Sequence, residues 1–154
     1  MTVRGVLFLA AVATMPLRVA HAAPLAPTKP SQLVTLANVN TTCNSGSGRV
    51  LDFRVGADGS GEPGFAVPEN SVLVVTDWEW CETGNPSAAF VQLAIDGPQG
   101  LATVSAVFRE SLTATCLRAD LGHGVRVASG ARLCATPVPA GANLRAHGYL
   151  TKDK

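Results

Sequence analysis

No apolar pattern of helical period persists anywhere in this chain. Short apolar runs alternate instead with clusters of Gly, Pro, Asn, Asp and Ser, the mark of strands bounded by turns. The expected strands are Gln32 to Ala37, Val50 to Val55, Ser71 to Cys81, Ala89 to Ile95, Ala102 to Glu110, Thr113 to Leu117, Val125 to Val127, Arg132 to Ala135 and Leu144 to Thr151. That many short strands in about 120 residues imply packed sheets, so the expected fold is all-β: a two-sheet β-sandwich, jelly-roll-like, with two disulfides. The long connections expected are Asn38 to Arg49, Gly56 to Gly64 and Asp120 to Gly124.

One local pattern recurs where new strands begin. It reads Val67-Pro68-Glu69-Asn70-Ser71-Val72-Leu73, then Val127-Ala128-Ser129-Gly130-Ala131-Arg132-Leu133, then Val138-Pro139-Ala140-Gly141-Ala142-Asn143-Leu144. Proline presets φ for the first corner of a turn, and Asn or Gly accepts the positive φ that follows, so the chain reverses and enters a strand. Outside these windows the copies diverge, which implies neither solenoid nor propeller. Together with Gly148-Tyr149-Leu150 in the last strand, this signature resembles small exported bacterial β-sandwich proteins of unknown function, over roughly Phe65 to Leu150. That group carries a Val-Pro-x-Gly turn before a Val-rich strand and ends in a Gly-Tyr-Leu strand. This chain has Asn70 where Gly is usual and Ala128 where Pro is expected. The resemblance implies an architecture and no activity.

Residues 1–22 read as an export signal: a positive start through Arg4, an apolar stretch from Gly5 to Met15, and Ala20-His21-Ala22 as a small-x-small cleavage site. The run is too short to span a bilayer, because Pro16 and Arg18 interrupt it. Residues 23–31, with Pro24, Pro27 and Pro30, are expected to form a flexible arm, and residues 32–154 a single domain. The expected location is therefore secreted or periplasmic. Asn40-Thr41-Thr42 fits the N-glycosylation pattern, whose meaning depends on the source organism.

Cys43, Cys81, Cys116 and Cys134 all follow the cleavage site, an even set in an oxidising compartment, so two disulfides are expected. Four cysteines allow three connectivities. Cys43 to Cys81 and Cys116 to Cys134 are favoured because each joins neighbouring segments. Each bridge should contribute about 2 to 4 kcal/mol. Zinc cysteines come in close pairs, and here the smallest gap is 18 residues, so no metal is expected on them.

After cleavage, ten Lys plus Arg face eleven Asp plus Glu, with no basic stripe that would suit nucleic acid. The mature chain offers no membrane span. No cofactor motif appears, and no catalytic residues are assigned.

The ligand-binding candidates are Trp78, Trp80 and Tyr149. Side chains alternate along a strand, so Trp78 and Trp80 share one face of Ser71 to Cys81 while Asp77 and Glu79 share the other. Two such indoles make a platform on which a sugar could stack. Core packing is the stronger competing role, because the mature chain holds only seven aromatic residues. Asp77, Glu79 and Glu82 have the spacing of paired catalytic carboxylates, but any polar strand face produces it, and a solvated face is the expectation. Asp58, Ser60, Glu62 and Glu69 match positions 1, 3, 5 and 12 of a calcium loop, yet Pro63 stands where that loop needs Gly. His123 and His147 stand apart, too few for a cupin-type metal site. No serine sits in a Gly-x-Ser-x-Gly elbow.

These features point to a non-enzymatic extracellular or periplasmic module that contacts a protein or glycan. The alternatives are a structural or envelope-associated protein without a dissociable ligand and, last, a small hydrolase using Asp77 or Glu79 with His123 or His147.

Overall fold

The computed structural model describes residues 27, 29–39, 41–44, 46, 48–56, 58–82, 90–108, 116–138 and 141–153. The expected export signal, most of the arm and Asn40 of the sequon lie outside the described residues. Among the described residues, nine strands follow a 3-10 turn: β1 Leu33–Asn38, β2 Arg49–Val55, β3 Gly61–Glu62, β4 Ser71–Glu82, β5 Phe90–Gly97, β6 Gly100–Phe108, β7 Cys116–Ala128, β8 Arg132–Thr136 and β9 Ala142–Lys152. The 3-10 turn, Pro30–Gln32, falls where an arm without regular structure was expected. Proline at its first position presets the helical φ, and Gln32 Oε1 accepts the Lys29 N–H at 2.9 Å.

The strands are antiparallel and run in the order β6-β5-β8-β2-β1-β9-β4-β7, with β3 paired to β2. The two end strands, β6 and β7, meet, so the sheet curls nearly onto itself like a barrel. Two separate sheets were expected; a single hydrogen-bonded path is found. The reason lies in β2, whose first residues Arg49 and Val50 pair with β8 while Leu51 to Val55 pair with β1, so one strand carries the ladder around the bend.

All three recurring turns open onto strands, at Ser71, Arg132 and Ala142. Asn70, Gly130 and Gly141 have φ of 58°, 80° and 79°. In the first copy Ser71 N–H donates to Pro68 O at 3.1 Å, and in the second Ala131 N–H donates to Ala128 O at 3.2 Å. Pro68 thus stands one residue before the first corner rather than on it, and the left-handed residue is the shared requirement.

The expected loop at Asp120 to Gly124, with separate strands on either side, is instead an outpocketing inside the continuous strand β7. Val75 faces Val125 and Asp77 faces Asp120, so Thr76 alone stands opposite Leu121, Gly122, His123 and Gly124. The glycines that suggest a break supply a bulge. The strand β3, two residues long, gives no alternation to read, and it turns part of the expected Gly56 to Gly64 loop into a hairpin closed by Gly56 N–H to Ser60 O at 2.8 Å.

The interior is filled from β4 by Leu73, Val75, Trp78 and Trp80, from β5 by Val91 and Leu93, and from β9 by Leu144 and Ala146. Odd residues of β4 point inward before Thr76 and even ones after it, because the bulge resets the alternation. Trp78 Nε1 donates to Ser105 Oγ of β6 at 3.1 Å, tying β4 to the end strand at the other side of the seam.

Both disulfides form, with a different pairing from the favoured one: Cys43 joins Cys134 and Cys81 joins Cys116. Strand order explains it. Cys81 and Cys116 are direct cross-strand partners of β4 and β7, with Cα atoms 4.0 Å apart. Cys134 of β8 lies beside Val50 of β2, and the loop before β2 brings Cys43 onto it. Proximity along the chain misleads in a sheet whose neighbours are mostly not consecutive. No described cysteine is free.

Candidate functional site

The sequence places Trp78, Trp80 and Tyr149 foremost, and the structure buries all three. Trp78 and Trp80 are each 0% exposed and belong to the interior, so no stacking platform faces solvent. The physical cause is the shortage of large side chains: the barrel-like interior uses both indoles as filling. Tyr149 points the other way, into a small apolar cluster with Val72 and Val74 on the outer face, and is also buried.

That outer face carries the polar chemistry. Thr76 resets the strand's phase, so Asp77, Glu79 and Cys81 look outward. Cross-strand register then builds two rows. In the first, Val55, Thr35, His147, Asp77 and Asp120 succeed one another across β2, β1, β9, β4 and β7. In the second, Phe53, Ala37, Arg145, Glu79 and Arg118 do the same.

Arg118 Nη2 lies 2.8 Å from Asp77 Oδ1, and Arg145 Nη1 lies 3.7 Å from Glu79 Oε1. No aligned N–H···O bond reaches Asp77 Oδ1, so the Arg118 pair acts by charge proximity rather than as a directed hydrogen bond. Thr76 Oγ1 stands 3.1 Å from Asp77 Oδ2 and 3.2 Å from His147 O, with one proton to give between them. His147 Nδ1 and Thr35 Oγ1 are 3.1 Å apart and share a hydrogen bond. The expected solvated carboxylates are therefore partly shielded and paired with arginines, and Glu82 departs further from that expectation by being buried. His123 sits exposed in the β7 bulge.

Two open depressions adjoin at Leu33 and Thr35 of β1. One, of about 400 Å³, is bounded by Thr35, Thr76, Asp77, His147 and Tyr149; the other, of about 600 Å³, by Ser31, Arg54, Ser60 and Glu62. Leu33 and Thr35 line both and form the ridge between them. Leu33 is 56% exposed, an apolar crest between the two basins. Arg54 lies over the Phe65 ring, its Cζ 5.8 Å from the centroid, a cation–π contact. Chemically the surface offers hydroxyls, one imidazole, carboxylates and guanidiniums around a short apolar ridge.

Sequence reasoning missed Leu33, Thr35 and Arg54. The one signal was Thr35, a polar residue between Val34 and Leu36, which marks the outward face of β1.

The calcium frame resolves into a turn. Asp58 Oδ1 accepts from Ser60 Oγ at 2.6 Å and from Ser60 N–H at 2.9 Å. The Ser60 hydroxyl first, then its N–H, holds the Asp58 carboxyl below the ordinary carboxylate range. Among the described residues, no three His, Cys, Asp or Glu side chains gather in a way that could hold a metal ion. Nor, among them, is any helix long and apolar enough to cross a membrane.

No protein family matches the chain, and no curated protein does. Among solved structures it is similar to protein SO0799 from Shewanella oneidensis, at 8% identity and a TM-score of 0.27, over 87% of this chain and 71% of that one. A likeness that slight carries no argument about fold or function.

Proposed function

We infer that this chain is an exported, non-enzymatic binding module, secreted or periplasmic, and that its protein or glycan ligand lies along the outer face of β1. The observation that carries the reading is the pair of adjoining depressions sharing Leu33 and Thr35, with Arg54, Glu62, Asp77 and His147 around them. Polar groups of both charge signs around an apolar crest suit a ligand that offers hydroxyl or amide groups along an extended chain. The export pattern of residues 1–22 and the two disulfides support the compartment.

The test uses the oxidised chain on a glycan array and on its own envelope fraction, beside a Leu33→Arg variant. Leu33 is exposed, so the change should leave stability within about 0.5 kcal/mol. A ligand retained by the natural chain and lost by the variant supports the reading; a ligand retained equally by both counts against it.

A second reading, a structural or envelope-associated protein without a dissociable ligand, draws on Phe90 and Phe108. Their rings stack at 5.7 Å while Phe108 remains 66% exposed. Association lost in Phe108→Ser and kept in Leu33→Arg would favour it.

A further inference from the structure

We propose that the two disulfides differ in kind: Cys81–Cys116 is an exchange site open to an external dithiol, and Cys43–Cys134 is sealed against one. The contrast begins with exposure. Cys43 and Cys134 are 2% and 0% exposed and pack with Val50 and Leu101. Cys116, by contrast, is exposed on the outer face and Cys81 is half-buried beside it. Exchange requires a thiolate to approach a sulfur atom, so access decides first which bridge reacts.

Charge then reinforces access. Asp96, itself buried, places Oδ2 3.9 Å from Cys134 Sγ and is held there by the Asn44 N–H at 2.7 Å. Attack on Cys43 would expel Cys134 as a thiolate in dry surroundings against a carboxylate, and both conditions disfavour that anion. Attack on Cys134 would need the Cys43 loop to lift. Val50 N–H to Thr41 O at 2.9 Å and the Asn44 to Asp96 bond both resist that movement.

At the open bridge the step balances as follows. A thiolate of the dithiol attacks Cys116 Sγ, a mixed disulfide forms, and the Cys116–Cys81 bond breaks. Cys81 leaves as a thiolate that takes a proton from water. The reagent's second thiolate then closes on its own sulfur, releasing Cys116 as a thiolate that is protonated in turn. The dithiol ends as a cyclic disulfide, having given two electrons to the protein. Because β4 and β7 remain laddered from Trp80–Leu117 to Val72–Ala128 around the bulge, this reduction leaves the sheet intact.

The test exposes the oxidised full chain to dithiothreitol under native conditions, blocks thiols at intervals with an alkylating agent and maps the labels by mass spectrometry. Labels should appear on Cys81 and Cys116 together, at least about a hundredfold faster than on Cys43 and Cys134, since the sealed pair must wait for local opening. In Asp96→Asn the slow pair should speed up by about tenfold with the fast pair unchanged. Simultaneous labelling of all four cysteines, or earlier labelling of Cys43 and Cys134, overturns the assignment. Slow-pair labelling that does not accelerate in Asp96→Asn removes the carboxylate's share in it.

Discussion

Asn70 holds a φ of 58°, a left-handed conformation that asparagine tolerates and most residues do not. Asn70→Ala should therefore destabilise the domain by about 1 kcal/mol, while Asn70→Gly should be neutral or slightly stabilising. Urea unfolding of the two variants checks this; equal effects would mean that the side chain, not the backbone, matters at this turn. Asp58 acts at the same scale through charge. Its folded carboxyl titrates below the ordinary range, so its contribution to the β2–β3 hairpin is present above that range and lost as pH falls through the lowered value. Amide exchange in the hairpin should differ between Asp58→Asn and the natural chain near neutral pH and converge in acid. Identical profiles at every pH would contradict the assigned role. Asn70 was legible as a turn former from the Asn or Gly spacing, whereas Asp58 was legible only as part of a Gly-rich connection, because its bonds to Ser60 belong to the folded hairpin.

The strands themselves were mostly legible, because alternation and apolar runs depend on near neighbours. The long strand β4 begins at the expected residue and puts Trp78 and Trp80 opposite Asp77 and Glu79 as expected. What could not be read is anything that depends on a partner strand. The β7 bulge exists only in relation to Thr76 of β4, and without that partner Gly122-His123-Gly124 looks like a break. Gly148 is a case of the same kind. A Cβ there would run into the carbonyl oxygen of Val74, so β9 and β4 approach closely only because that side chain is missing. Gly148→Ala should destabilise the domain by about 2 kcal/mol or more, or prevent its accumulation, since backbone cannot yield as a flexible side chain can. Thermal unfolding of the variant checks it, and an unchanged midpoint would mean that the two strands have slack there.

For the molecule as a whole, the candidate site and the disulfides share one cause of illegibility. Thr35, Asp77 and His147 meet because β1, β9 and β4 are adjacent, though they are far apart in the chain. Aromatic spacing within β4 marks instead two residues that fill the interior, Trp78 and Trp80. The bridges close loops spanning 91 and 35 residues, so full reduction should lower the melting temperature by about 15 °C or more, with less than half of that from Cys81–Cys116, which closes the shorter loop. Equal melting of oxidised and reduced protein would show that the bridges are not structural staples. Strand order sets β7 beside β4 and β8 beside β2 and so creates both the disulfide pattern and the outer polar face. Peptide mapping of the oxidised protein without reductant tests it most directly. Cross-linked peptides should join Cys43 to Cys134 and Cys81 to Cys116. Peptides joining Cys43 to Cys81 and Cys116 to Cys134 would contradict it.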